Sequence, residues 1–252
     1  MGRGAEARRG AAQGLTRVVP MILAVTTATP RFSAALLRDD VIVARVEHED
    51  EMRHAERFFA SLDELFSAAG VARSELSALA CDVGPGSFTG VRVGLSSCKG
   101  VALALGIPVI PVSSLEAMAA AAFARVEAAV TRVVVVLDAK RGEVFYGGFD
   151  RDGEPAYATG FATAADAPDV LAEALTDEPT RLCGRAALGL APDGRRVVDP
   201  SCDLPDASWI ARLAARRLVD GSVPELALVE PVYLRDPDAK KPKGMPKLFT
   251  KA

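Results

Sequence analysis

The sequence predicts a two-lobed α/β protein whose second lobe repeats the first. Three observations carry this. With 252 residues, half of them hydrophobic and a quarter charged, the chain can bury one large core or two modest ones. Strand and helix signals alternate from Ile22 onward, the pattern of helices laid on a partly parallel sheet. Val133 to Phe145 echoes Ile22 to Ser33, as an apolar strand, a polar turn and a second strand. The expected organisation is an extension or mis-assigned start over 1–20, an N-terminal lobe over 21–130, a C-terminal lobe over 131–235 and a basic flexible tail over 236–252.

Ile22 to Val25, Phe32 to Leu37 and Val41 to Val46 read as strands of an antiparallel meander, joined by turns at Thr29-Pro30-Arg31 and Asp39-Asp40. Arg53 to Ala69 is an amphipathic helix, with Ala55, Phe58, Phe59, Leu62, Leu65, Phe66 and Ala69 at helical spacing. Leu79 to Val83 is a short buried strand that runs into Gly84-Pro85-Gly86-Ser87-Phe88-Thr89-Gly90. Thr89 is the expected cap of a helix from Gly90 to Leu105, whose small residues Gly90, Gly94, Ser97, Gly100 and Ala104 fall three or four apart. Ile107 to Val112 is the next strand, and Ser113 or Ser114 caps a helix from Leu115 to Val126. This order is that of a ribonuclease H-like lobe, and with the repeat it gives a duplicated actin-like (ASKHA) fold.

The second half begins with the strand at Val133, a strand continuing to Phe149 and a turn at Asp152-Gly153. A helix over Ala164 to Leu175, a strand over Arg181 to Gly184, and a loop over Pro192 to Asp199 leading to another strand follow. Ser208 is the expected cap of a helix over Trp209 to Val219, with Arg212, Arg216 and Arg217 on its outer face. Val229 to Leu234 is a last strand or extended segment.

Spacing excludes the common phosphate and nucleophile loops. After Gly90 stand Val91 and Arg92, where a phosphate-binding loop needs Lys and then Ser or Thr. Gly86 and Gly90 are one residue too far apart for a dinucleotide fingerprint, and Ser87 follows Gly86 directly, which a nucleophile elbow forbids. Cys81, Cys98, Cys183 and Cys202 form no Cys-x-x-Cys pair and read as buried thiols of a reducing cytoplasm. His48 and His54 stand six apart, not at the spacing that puts two imidazoles on one helix face, so no metal site is expected. The net charge of −3 argues against broad autonomous binding of nucleic acid, and no apolar run is long enough to cross a bilayer. Aligning the repeats sets Asp138 opposite Thr26, so only the second lobe ends its first strand in a carboxylate. A magnesium-dependent phosphotransferase needs carboxylates there; Thr26 and Asp138 therefore read as a vestigial nucleotide cleft, and no cofactor is expected.

The run from Gly84 to Ala104, with Met21 to Thr29 before it and Glu230 to Arg235 after it, resembles the bacterial TsaB (YeaZ) family, in order, over nearly the whole chain from Met21 to Arg235. Members often carry Asp where Thr26 stands. The resemblance implies a cytoplasmic, non-catalytic subunit in formation of threonylcarbamoyladenosine beside the tRNA anticodon. Its implied partners are a TsaD-type catalytic subunit and a TsaE-type ATPase, with tRNA met through the complex and self-association when the partner is absent. It also implies a four-helix contact in which the first helix, through Phe58, Phe59, Leu62 and Phe66, and the second, through Gly90, Gly94, Ser97, Lys99 and Val101, pair with two helices of the TsaD-type subunit. Gly84, Pro85, Gly86, Ser87, Thr89 and Arg92 are the structural loop. Packing inside the chain explains the aromatic face equally well; on the docking reading, Gly94→Leu and Phe59→Asp abolish partner binding and leave the fold intact. The outward arginines and the tail lysines are solvated or meet tRNA phosphate. A stand-alone phosphotransferase depending on Asp138, and a metallopeptidase, are the competing classes.

Overall fold

A computed structural model describes residues 20–49, 54–176, 180–187, 190 and 202–235. The expectations for the 1–20 extension short of residue 20, the tail from 236 and the strand after Asp199 lie outside those residues. In the first lobe, β1 (Met21–Thr26), β2 (Arg31–Arg38) and β3 (Val41–Glu49) form the meander, followed by α1 (His54–Ala69), β4 (Leu76–Asp82), α2 (Phe88–Leu105), β5 (Val109–Val112) and α3 (Ser114–Phe123). In the second, β6 (Arg132–Lys140), β7 (Glu143–Asp150) and β8 (Pro155–Thr163) repeat the meander, with α4 (Ala167–Val170), α5 (Ala172–Thr176), β9 (Thr180–Cys183) and α6 (Ala207–Val219) after it.

The two sheets have matching topologies. The first is ordered β3-β2-β1-β4-β5 and the second β8-β7-β6-β9, each with an antiparallel meander beside a parallel pairing, β1 with β4 and β6 with β9. Central strands are covered on both faces, which is why their sequences are continuously apolar rather than alternating. On β1, Met21, Leu23 and Val25 face the core shared with α1 and α2, while Ile22 and Ala24 face the core shared with α6. On β6, Val133, Val135 and Leu137 face α3, and Val134 and Val136 face α4 and α5.

The order of layers is therefore α1 and α2, first sheet, α3 and α6, second sheet, α4 and α5. The middle layer crosses the lobes. α3 packs Leu115 and Met118 on the second sheet, and α6, from the second half of the chain, packs Ile210 and Ala211 on the first. α3 is nearly all alanine in its second half, and that smallness lets it sit between two sheets. A division at 130/131 separates the sheets but not these helices.

Two caps differ from expectation. α6 begins two residues earlier, where Asp206 rather than Ser208 is the N-cap and accepts from the Ser208 N–H at 2.7 Å. The expected helix over Ala164 to Leu175 is broken into the two short helices α4 and α5. Ser113 caps α3 in a capping box with Glu116, whose carboxylate accepts from the Ser113 N–H at 3.0 Å.

Candidate partner-docking surface and its loop

The Gly84–Gly90 loop leaves β4 at the carboxyl end of the first sheet and is held by the segment after β1. Gly84 has φ of +95°, a conformation that side chains resist, and Gly84-Pro85 is a cis peptide. The Ser87 N–H donates to the Ala28 carbonyl at 2.7 Å, and a Cβ on Gly86 would collide with that same carbonyl. Further along, a Cβ on Gly90 would strike the Thr27 carbonyl and one on Gly94 the Thr27 hydroxyl, which itself donates to the Gly90 carbonyl at 2.7 Å. The glycines at the start of the small stripe thus make close contact with Thr27, just after the chain's own first strand.

Ser87, not Thr89, is the N-cap of α2, accepting from the Gly90 N–H at 3.2 Å; the helix starts two residues before the expected point and Thr89 is an exposed first-turn residue. Ser87→Ala is expected to lower unfolding free energy by about 1 kcal/mol, and Thr89→Ala by less than about 0.5, in urea denaturation. Equal losses at the two positions would contradict the assignment.

Beneath the loop lies a group that sequence reasoning did not single out. Asp82, the last residue of β4, is 1% exposed, and its carboxylate accepts from the Thr26 hydroxyl at 2.7 Å, the Ser114 hydroxyl at 2.6 Å and the Gly84 N–H at 2.8 Å. Burial pushes its pKa from 3.8 up to about 6, against the three hydrogen bonds that favour the ionised form. An acid at the end of an otherwise apolar strand was the available signal. Thr26 is committed to Asp82, whereas Asp138 is solvent-facing and bends back to its own turn, accepting from the Lys140 N–H at 2.7 Å. Thr26 and Asp138 share no partner among the described residues, and no cluster of three metal-ligating side chains occurs among them.

α1 and α2 lie in contact on the same face of the first sheet. The structure corrects the choice of outward residues. Phe58, Leu62 and Phe66 are buried at 1%, 4% and 6% exposure, packed in the first core with Leu95, Cys98 and Ala102. Phe59, edge-on to Phe58, is 57% exposed. Gly90 and Gly94 face inward; Ser97, Lys99 and Val101 are half-buried. The exposed face of α2 carries Ser96, Gly100 and Ala104 four residues apart, with Leu103 at 76% exposure. A Cβ on Gly100 would meet nothing within 4 Å. Gly94→Leu is thus a folding variant, not the clean docking variant that the sequence suggested.

The chain's last described segment fastens this corner to the other lobe. Val229 is buried in the first core, the Val232 N–H donates to the Val83 carbonyl at 2.7 Å, Leu234 packs against the second core and Arg235 pairs with Glu143. Arg92 stacks its guanidinium 3.7 Å over the Phe88 ring and donates to the Tyr233 hydroxyl at 2.7 Å. Val229 to Leu234 is therefore the extended alternative, held by a single ladder-like bond. Of the outer arginines of α6, Arg212 donates to the Asp40 carbonyl, Arg217 pairs with Glu116 at 2.5 Å and Arg216 is exposed. All four cysteines are buried and outside any disulfide, and a hydrogen bond with Cys98, together with burial, raises the Cys81 thiol well above its usual range. His48 stacks on Phe32 with Glu64 3.9 Å away. No helix among the described residues is long and apolar enough to cross a membrane.

Two similar lobes, a crossed middle layer and a locked glycine turn define a duplicated actin-like α/β protein. A family model described as TsaD, tRNA N6-adenosine threonylcarbamoyltransferase, matches residues 42–183. The tRNA threonylcarbamoyladenosine biosynthesis protein TsaB of Escherichia coli is 32% identical over 225 residues, 85% of this chain and 94% of that protein. TsaB of Haemophilus influenzae is 39% identical over 126 residues, 50% of this chain and 52% of that protein. The solved structure of YeaZ from Pseudomonas aeruginosa superposes with a TM-score of 0.69 at 28% identity, over 84% of this chain and all of that one. The chain belongs to the TsaB (YeaZ) family, and so to tRNA threonylcarbamoyladenosine biosynthesis.

Proposed function

We propose that this chain is a subunit without chemistry of its own that binds and activates a TsaD-type threonylcarbamoyltransferase acting on the adenosine beside the tRNA anticodon. Docking takes place on the outer faces of α1 and α2, a TsaE-type ATPase joins the assembly, and tRNA is met through the complex. The Thr26–Asp138 cleft is vestigial, and without the partner the same faces pair two copies of the chain.

The observation that carries the reading is the pair of touching helices whose solvent side combines large apolar residues, Phe59 and Leu103, with a smooth row of Ser96, Gly100 and Ala104. Large exposed apolar side chains beside small ones let a partner's helices approach closely and bury area on contact. Phe59→Asp and Gly100→Leu test it. Phe59 meets the interior at the edge of the Phe58 ring, a Cβ on Gly100 meets nothing within 4 Å, and Gly100→Leu adds up to about 1 kcal/mol of helix propensity. Both variants are expected to lose co-purification with the TsaD-type subunit; Gly100→Leu keeps or raises the unfolding midpoint, and Phe59→Asp lowers stability by about 1 kcal/mol, the loss of one edge contact with Phe58, and stays folded. Full complex formation by both would refute the surface.

A further inference from the structure

We propose that the cleft between α3, α6 and the β7–β8 turn is a binding site for a small planar organic anion. The cleft has a volume of about 310 Å³, at the lower end of small-molecule sites, and lies where two lobes meet. Its apolar walls include Ala120, Phe123, Phe149 and Trp209.

The charges around these walls do not cancel. Arg151 donates to the carbonyls of Val130 and Glu127, and Arg212 to that of Asp40; uncharged acceptors fix a guanidinium in place and leave its charge unneutralised. The Arg216 side chain makes no hydrogen bond or ion pair with another described residue, yet lines the same cleft. Two carboxylates line the cleft as well. Glu116 pairs with Arg217 at 2.5 Å, whereas Asp150 accepts from the neutral N–H groups of Asp152 at 3.0 Å and Glu154 at 2.9 Å and keeps its charge, so one uncompensated carboxylate faces three guanidinium groups and the balance stays positive. Three guanidinium groups, with Arg151 5.1 Å from the Phe123 ring centre and Arg212 5.8 Å from that of Trp209, thus form a locally positive, apolar cleft in a chain of net charge −3. A ligand with a flat apolar body and one negative group satisfies both features, stacking on the rings and pairing with Arg216. α1 and α2 lie on the other face of the first sheet from α6, so this site stands apart from the proposed docking surface.

Trp209 is the chain's only tryptophan, so its fluorescence reports on the cleft directly. The probe is 1-anilinonaphthalene-8-sulfonate, a planar aromatic anion, titrated into the full chain. The expected result is saturable quenching of Trp209, with energy transfer to one probe per chain, weakened by added salt. Arg216→Gln is expected to weaken binding about tenfold, the loss of one charge-assisted contact. Ala120→Phe, which fills the cleft, abolishes it. The uncharged N-phenyl-1-naphthylamine is expected to bind more weakly and to ignore Arg216→Gln. Quenching that does not saturate at one probe, or an unchanged affinity in an Arg216→Gln variant with native circular dichroism, overturns the site.

Discussion

Alanine at Gly90 or Gly94 is expected to destabilise the protein, while alanine at Gly100, further along the same helix, stabilises it. All three changes gain helix propensity, close to 1 kcal/mol each. At Gly100 nothing opposes the gain, because the added carbon meets open space. At Gly94 it meets the hydroxyl of Thr27, a buried, stiff side chain whose oxygen already donates to the Gly90 carbonyl. Displacing it loses that bond and adds strain, for a net cost of about 2 kcal/mol. At Gly90 the obstacle is the Thr27 carbonyl, so backbone itself must move and the cost rises to about 3 kcal/mol. Thr27→Ala separates the two. It removes the atom that blocks Gly94 and leaves the carbonyl that blocks Gly90, so it rescues Gly94→Ala and not Gly90→Ala. Urea unfolding of the single and double variants measures this; equal rescue, or a loss at Gly100, contradicts the packing.

The same contact explains what was legible in the sequence. Strands buried on both faces write themselves as unbroken apolar runs, so β1, β4 and β6 were readable to within a few residues, and the 3.6-residue period fixed α1. The repeat of Ile22 to Ser33 at Val133 to Phe145 is realised as two meanders of one topology. Periodicity says that a face is buried, not by what. Phe58, Leu62 and Phe66 have the same spacing whether the chain or a partner covers them, and only the position of the sheet decides it. The small stripe on α2 wraps the helix, so its glycines split between two faces: Gly90 and Gly94 press on Thr27, and Gly100 looks out. The crossing of α6 onto the first sheet joins residues as far apart as Ser33 and Ala207, 174 positions in sequence, beyond the reach of any local pattern. Asp82 was hidden for a related reason: its three donors come from β1, the glycine loop and α3.

Asp82→Asn is expected to change how stability depends on pH. The folded protein holds the carboxyl at about 6, above its ordinary 3.8, so between these values the native state binds the proton more tightly than the unfolded chain does. The group therefore favours folding most at low pH, and that contribution is lost as pH rises from about 4 through 6, a fall approaching 3 kcal/mol for a shift of two units. Asparagine keeps the shape and cannot ionise. Its oxygen can accept from Ser114 and Gly84, and its amide can donate to the Thr26 hydroxyl, so the network survives without a buried charge. Other carboxylates contribute equally to both proteins and cancel in the difference. Unfolding free energy of the variant minus that of the wild type should thus climb by about 3 kcal/mol between pH 4 and pH 7 and then level off. Asp82→Ala ends the titration too, but orphans the Thr26 and Ser114 hydroxyls and the Gly84 N–H in the interior, and should be less stable than the asparagine variant at every pH. A difference that is flat from pH 4 to 7 would mean that the carboxyl titrates in the ordinary range, and that the three hydrogen bonds outweigh burial at this corner of the fold.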